Sequence, residues 1–144
     1  MTAVAALAVI FAGLLAGEEF VVRWGLAPAM RSLPDPAHLR IWIALVRRLR
    51  VLVPMLIAPT VALVIALAVW AAPGPWAWAS LGVLAVFVAS SALGTVPINM
   101  QVIEWDPDQP PPDWPTVIAR WETIDVLRSS TAVASFALLT ISLL

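Results

Sequence analysis

The chain has 144 residues, no cysteine and a formal net charge of −1, with 62% hydrophobic and 12% charged residues. A soluble domain is about half apolar and about a quarter charged, so this composition, with a mean hydropathy of +0.95, reads as an integral membrane protein. It excludes disulfides, thiolate chemistry and a basic footprint for nucleic acid, and because every basic residue is Arg it excludes a Schiff-base lysine.

The first predicted span covers residues 3–24. Residues 1–17 are apolar and no basic residue precedes them, which makes a poor signal peptide and a good retained helix. Gly13 and Gly17 form a small-xxx-small pair, a common packing seam between membrane helices. The span ends in Glu18, Glu19 and Arg23. A long connection is expected over residues 25–40; it holds His38, the single histidine, and a lone His without Cys is a weak basis for haem or zinc.

Residues 51–103 contain no charge, too long a run for a soluble core element. Pro73, Gly74 and Pro75 divide it, placing a second span at 41–72 and a third at 76–100. A loop over 101–114 carries Pro107, Pro110, Pro111 and Pro112, cannot be helical throughout and is expected to run extended over the surface. The fourth span is placed at 115–144. Only 16 uncharged residues follow Arg128, whereas a spanning helix needs about 20, so this helix must carry Arg128, Asp125 and Trp121 at or inside the bilayer edge. The expected fold is all-α: a single domain, residues 1–144, forming an antiparallel up-down four-helix transmembrane bundle. Arg31, Arg40, Arg47, Arg48 and Arg50 all lie between the first two spans. The positive-inside rule then puts both termini on the non-cytoplasmic side.

Three helix ends thereby deliver polar groups to one end of the bundle. Ionisable groups there are expensive and read by default as functional. Glu18 is the candidate general base. Glu19 has a plainer alternative, an i,i+4 ion pair with Arg23 in the headgroup zone. Ser91, Thr95 and Asn99 recur on one helix face; the two hydroxyls can satisfy themselves on i−4 carbonyls, whereas the Asn99 amide brings two donors and an acceptor. Trp121, Asp125 and Arg128 share a face of the last helix. Asp125 and Arg128 either neutralise each other at i,i+3, or Arg128 holds an anionic substrate while Trp121 stacks on its ring. The other Trp residues are expected in the interfacial belt.

Three stretches carry a resemblance. FAGLLAGEEFVVRWGLAPAM at 11–30, TVPINMQ at 95–101 and RWETIDVLRSSTAVASFALL at 120–139 resemble, in order and spacing, the anthrone oxygenase-like family of small four-helix membrane proteins. Pro97, Asn99, Trp121 and Arg128 match its pattern, while Asp125 stands where Asn is usual and Val126 where His is frequent. The resemblance implies a membrane enzyme of polyketide tailoring that converts a hydrophobic polycyclic anthrone to a quinone, with dioxygen as co-substrate and no metal or other cofactor. It implies Glu18 or Asp125 as base, Arg128 and Asn99 as oxyanion stabilisers and Trp121 as a substrate-binding wall; Thr95 and Glu19 are the further candidate substrate-binding residues. Ring closure on the same site, a small multidrug-type transporter and a non-catalytic membrane partner are the alternatives, and homo-oligomerisation is left open.

Overall fold

The computed structural model describes residues 3–70 and 74–144, and these form four helices long and apolar enough to cross a membrane. They are α1 (Ala3–Arg31), α2 (Asp35–Trp70), α3 (Pro75–Val102) and α4 (Trp114–Ile141), with no strand among the described residues. Each helix packs on its two chain neighbours and α4 closes on α1, giving an antiparallel ring in the expected up-down order. The α3–α4 seam is the most extensive and the α2–α3 seam the least. The bundle is inside-out in residue size: α1 buries Ala5, Ala8 and Ala12 and exposes Leu7, Ile10 and Leu14. Small residues let helix backbones approach where no water drives association.

α1 and α3 each contain one widened turn, Val22–Leu26 and Ser91–Thr95. In each, the residue ahead of a proline bonds five residues back: Ala27 N–H to the Val22 carbonyl before Pro28, and Val96 N–H to the Ser91 carbonyl before Pro97. A proline has no N–H and its ring crowds the preceding turn. A π-turn absorbs that locally, so the helix continues through it. This corrects the expected boundaries. The first helix runs on to Arg31 and the second begins at Asp35, so the long connection over 25–40 shrinks to residues 32–34. His38 is accordingly in the first turn of α2, buried edge-on against Trp42 and Trp114. The predicted break at Pro73 and the end of the second span at Ala72 lie outside the described residues.

Residues 103–113 are not extended; they form successive turns, pinned by an Arg40–Asp108 ion pair and by Arg47 donating to the Ile103 carbonyl. Trp105 tucks under the bundle from this loop. With Trp42 it is buried in the core, so these two indoles are not part of an interfacial belt, whereas Trp24, Trp70, Trp76 and Trp78 are exposed.

Two apolar cores result. One is mostly small and aliphatic residues, Ala8, Val64, Leu84 and Leu139 among them, around the Phe87 ring. The other is aromatic, around Trp42, Trp105 and Trp121. Gly94 allows the α3–α4 approach: a Cβ there would lie 2.8 Å from Ile124 Cγ2. Gly13 packs on the Phe136 ring, but Gly17 has open space around it, so the expected two-glycine seam is a one-glycine contact.

Candidate functional site

A polar layer lies between the two cores. At its centre Arg128, 5% exposed, is held by three helices. Its Nε donates to Ser91 Oγ on α3 (2.9 Å), Nη1 to Asp125 Oδ1 one turn back on α4 (3.0 Å) and Nη2 to Glu19 Oε1 on α1. The planar guanidinium suits such a junction because its donors are fixed in one fork. The expected Asp125–Arg128 pair is thus present, but as half of a two-carboxylate clamp.

The expected Glu19–Arg23 pair is absent. That pair needs α geometry from 19 to 23, and the π-turn beginning at Val22 breaks it. Arg23 instead donates to the hydroxyls of Ser129 (3.0 Å) and Ser130 (2.9 Å) and to the Val126 carbonyl (3.3 Å) on α4. Both ends of this short stretch therefore tie α1 to α4, Glu19 through Arg128 and Arg23 through the serines.

A cavity of about 310 Å³ opens beside the clamp, within the usual range for small-molecule sites. Glu18, Glu19 and Val22 line it from α1, Ser91, Thr95 and Asn99 from α3, and Trp121 and Arg128 from α4. Six of the seven predicted site residues thus meet at one cavity. Asp125 does not line it; it sits behind Arg128 and faces a second, separate hollow of about 240 Å³ with Arg23, Arg31 and Glu122.

Each polar wall residue has a distinct state. The Ser91 hydroxyl donates to the Phe87 carbonyl (2.8 Å) and Thr95 to the Ser91 carbonyl (3.2 Å), the expected i−4 bonds. Trp121 Nε1 donates to Asn99 Oδ1 (2.8 Å). An indole N–H can only donate, so it fixes the amide with its oxygen toward Trp121. The Asn99 NH₂ is left without a hydrogen-bond partner among the described residues. Trp121 is further braced edge-on by Trp42, 5.0 Å between ring centroids. Glu18 has one oxygen, Oε2, that is buried with no hydrogen-bond partner among the described residues. A buried carboxylate oxygen left unsatisfied is costly in an apolar site. Among the described residues no three His, Cys, Asp or Glu side chains are grouped to hold a metal ion.

Sequence reasoning assigned nothing to α2, yet that helix supplies the aliphatic wall: Val46, Leu49, Val53 and Ile57, with Arg50 and Pro54 at the rim. Two signals pointed there. Arg50 is the last charge before the long uncharged run, and Pro54 sits inside a helix, where its missing N–H leaves the Arg50 carbonyl without its helical donor.

No family model matches the chain, and no curated protein or solved structure matches it either.

Proposed function

We propose that the protein is a membrane-embedded polyketide-tailoring enzyme that oxygenates a flat, anthrone-like polycyclic substrate without a metal or flavin. The observation that carries this reading is the Glu18 carboxylate: it has an unsatisfied buried oxygen, and it faces a cavity with an aliphatic wall on α2 and the Trp121 ring on α4, beside a free amide donor. A base in a largely apolar cavity, next to a donor that can hold an anion, is the equipment for removing a proton from carbon.

An anthrone methylene is acidic because its conjugate anion is aromatic. Glu18 takes that proton. The Asn99 NH₂ donates to the oxygen on which the charge settles, while Arg128, its charge met by Glu19 and Asp125, holds the inner wall together. Trp121, held by Asn99 and Trp42, forms a flat wall. The electron-rich anion passes one electron to dioxygen, giving a substrate radical and superoxide, which combine to form a C–O bond. Glu18 returns its proton to the peroxide. Loss of the second methylene hydrogen with cleavage of the O–O bond leaves a carbonyl and water. Overall one anthrone and one dioxygen become one anthraquinone and one water.

The membrane setting rests on helix lengths. The charge-free part of α1, residues 3–17, reaches about 22 Å at about 1.5 Å per residue, short of the roughly 30 Å hydrocarbon layer. A spanning α1 therefore carries Glu18 and Glu19 within the boundary. With all eight arginines in segments 23–50 and 120–128, the positive-inside rule places this end in the cytoplasm and both termini opposite. Labelling of a C-terminal cysteine from the cytoplasm alone overturns that orientation.

The deciding experiment is oxygen uptake by the purified protein in nanodiscs supplied with anthrone. The expected result is dioxygen consumption matched by anthraquinone formation above the rate with heat-inactivated protein, lost in Glu18→Gln. No excess uptake rejects the oxygenase reading, and uptake unchanged in Glu18→Gln removes Glu18 as the base. Ring closure of a polyketide would use the same base and would proceed without dioxygen.

A further inference from the structure

The cavity has a direction. Its inner wall, on α1 and α4, carries two carboxylates, Glu18 and Glu19, and an arginine whose fork is already engaged by Ser91, Asp125 and Glu19. Its outer edge lies along the α2–α3 seam, the loosest of the four. There Arg50 and Pro54 of α2 are exposed, as are Val96 (48%) and Met100 (60%) of α3. Arg50 makes no hydrogen bond or ion pair with any described residue. It borders the charge-free run that begins at Val51, which places it at the bilayer edge of a spanning α2. The cavity thus runs from the Glu18 carboxylate, which has no ion pair among the described residues, between aliphatic walls, to an unpaired guanidinium at a lateral opening.

On the reading of the cavity as a polycyclic-aromatic site, we infer that its substrate is an amphipathic acid or phenolate that enters sideways between α2 and α3, and that Arg50 grips its anionic end at the mouth. Glu18, the inner carboxylate without a described ion pair, disfavours a second anion beside it, so the charged end of such a ligand stays outermost and the reacting ring carbon goes in toward Glu18. Arg128 cannot serve as the anion receptor, because three of its donors are committed and two carboxylates compensate its charge. Arg50 therefore sets which end of the substrate leads, and acts as a specificity residue rather than a catalytic one. A lipid phosphate is the other source of the same anionic chemistry at an interfacial arginine.

Binding of 9-anthracenecarboxylate and of neutral 9-anthracenemethanol to protein in phosphatidylcholine nanodiscs tests this. Energy transfer from Trp to anthracene reads binding, and empty nanodiscs give the partition background. The wild-type protein is expected to prefer the carboxylate about tenfold, the scale of one charge-assisted hydrogen bond near solvent. Arg50→Gln should erase that preference and leave alcohol binding unchanged, and Arg50→Lys should keep part of it. A preference that survives Arg50→Gln, or equal losses for both ligands, overturns the assignment. Displacement of the carboxylate by phosphatidylglycerol in the wild type but not in Arg50→Gln assigns Arg50 to lipid and also overturns it. If neither ligand binds, the cavity reading falls and this inference with it. If the preference holds while anthrone gives no oxygen uptake, the oxygenase reading alone fails.

Discussion

At one end of the bundle, α1, α3 and α4 meet through alanine, glycine and serine; at the other they meet through carboxylates, guanidiniums and indoles. Segments 3–17, 51–103 and 129–144 contain no charged residue, so every ionisable side chain lies at the second end. The first end still buries polar groups, Ser80 and Ser135, but each hydroxyl donates to the other residue's carbonyl (2.8 and 3.1 Å), so nothing is left over. At the second end the accounting does not close. All three nitrogens of Arg128 are engaged, while Glu18 Oε2 and the Asn99 NH₂ have no described partner, nor do the buried His38 Nε2, Trp42 Nε1 and Glu122 Oε1. Complete satisfaction is what a structural polar contact needs. Of these groups Glu18 and Asn99 are the ones that line the larger cavity, and that position separates a site from a staple.

The largest expected effect tests the clamp. Arg128→Ala leaves Glu19 and Asp125 buried without their cation and should cost about 3–5 kcal/mol, the range for breaking one side of a buried ion pair. Thermal unfolding followed by Trp fluorescence would register it. Replacing all three members at once, Glu19→Gln, Asp125→Asn and Arg128→Gln, removes the stranded charges and should recover most of that loss. A triple variant no more stable than Arg128→Ala would mean that Arg128 stabilises through its shape and packing rather than its charge.

Next come the glycines, which compare close packing at different heights. A Cβ at Gly94 meets Ile124 at 2.8 Å, whereas one at Gly17 meets nothing within 4 Å. Gly94→Ala should therefore cost about 1–3 kcal/mol from overpacking. Gly17→Ala should be neutral or slightly stabilising, since Ala is the better helix former. Equal effects at the two positions would show that the α3–α4 approach is not limited by Gly94.

How far these regions could be read from the amino-acid order depends on the range of the interaction. The four spans and the polar end follow from hydropathy and from Arg placement, which are local. The face shared by Ser91, Thr95 and Asn99 survived because the π-turn at Ser91–Thr95 keeps all three on the cavity side. The π-turn at Val22 had the opposite effect: an i,i+4 rule joined Glu19 to Arg23, and one extra residue per turn sent Arg23 to α4 and Glu19 to Arg128. Pro28 was expected in a connection and is a position the helix passes through, as it passes Pro97 within the third predicted span. Arg50 and Pro54 marked the rim on α2, but its aliphatic wall was illegible because aliphatic side chains facing a cavity and facing lipid look alike in sequence.

A smaller effect probes the quiet end. Ser80→Ala or Ser135→Ala removes a satisfied interhelical pair, and such bonds average about 0.6 kcal/mol in membrane proteins. Each single change should therefore shift unfolding far less than Arg128→Ala. A loss as large as that of Arg128→Ala would make the serine pair, and not the clamp, the main tie between α3 and α4.

The smallest expected effect on stability belongs to the residue with the largest expected role. Glu18 neighbours Arg128 but takes none of its hydrogen bonds, and one of its oxygens is buried unsatisfied. Glu18→Gln keeps the volume and removes a charge from an apolar cavity, so unfolding should stay within about 0.5 kcal/mol of wild type or move upward, as for a substitution that breaks no paired contact. Groups retained for function at a cost in stability behave in this way. The same variant should lose oxygen uptake with anthrone while it still binds 9-anthracenemethanol. Arg128→Ala, by contrast, should lose stability and activity together. A Glu18→Gln protein that unfolds as easily as Arg128→Ala would place Glu18 inside the structural clamp, and the base for this cavity would have to be sought in Glu19.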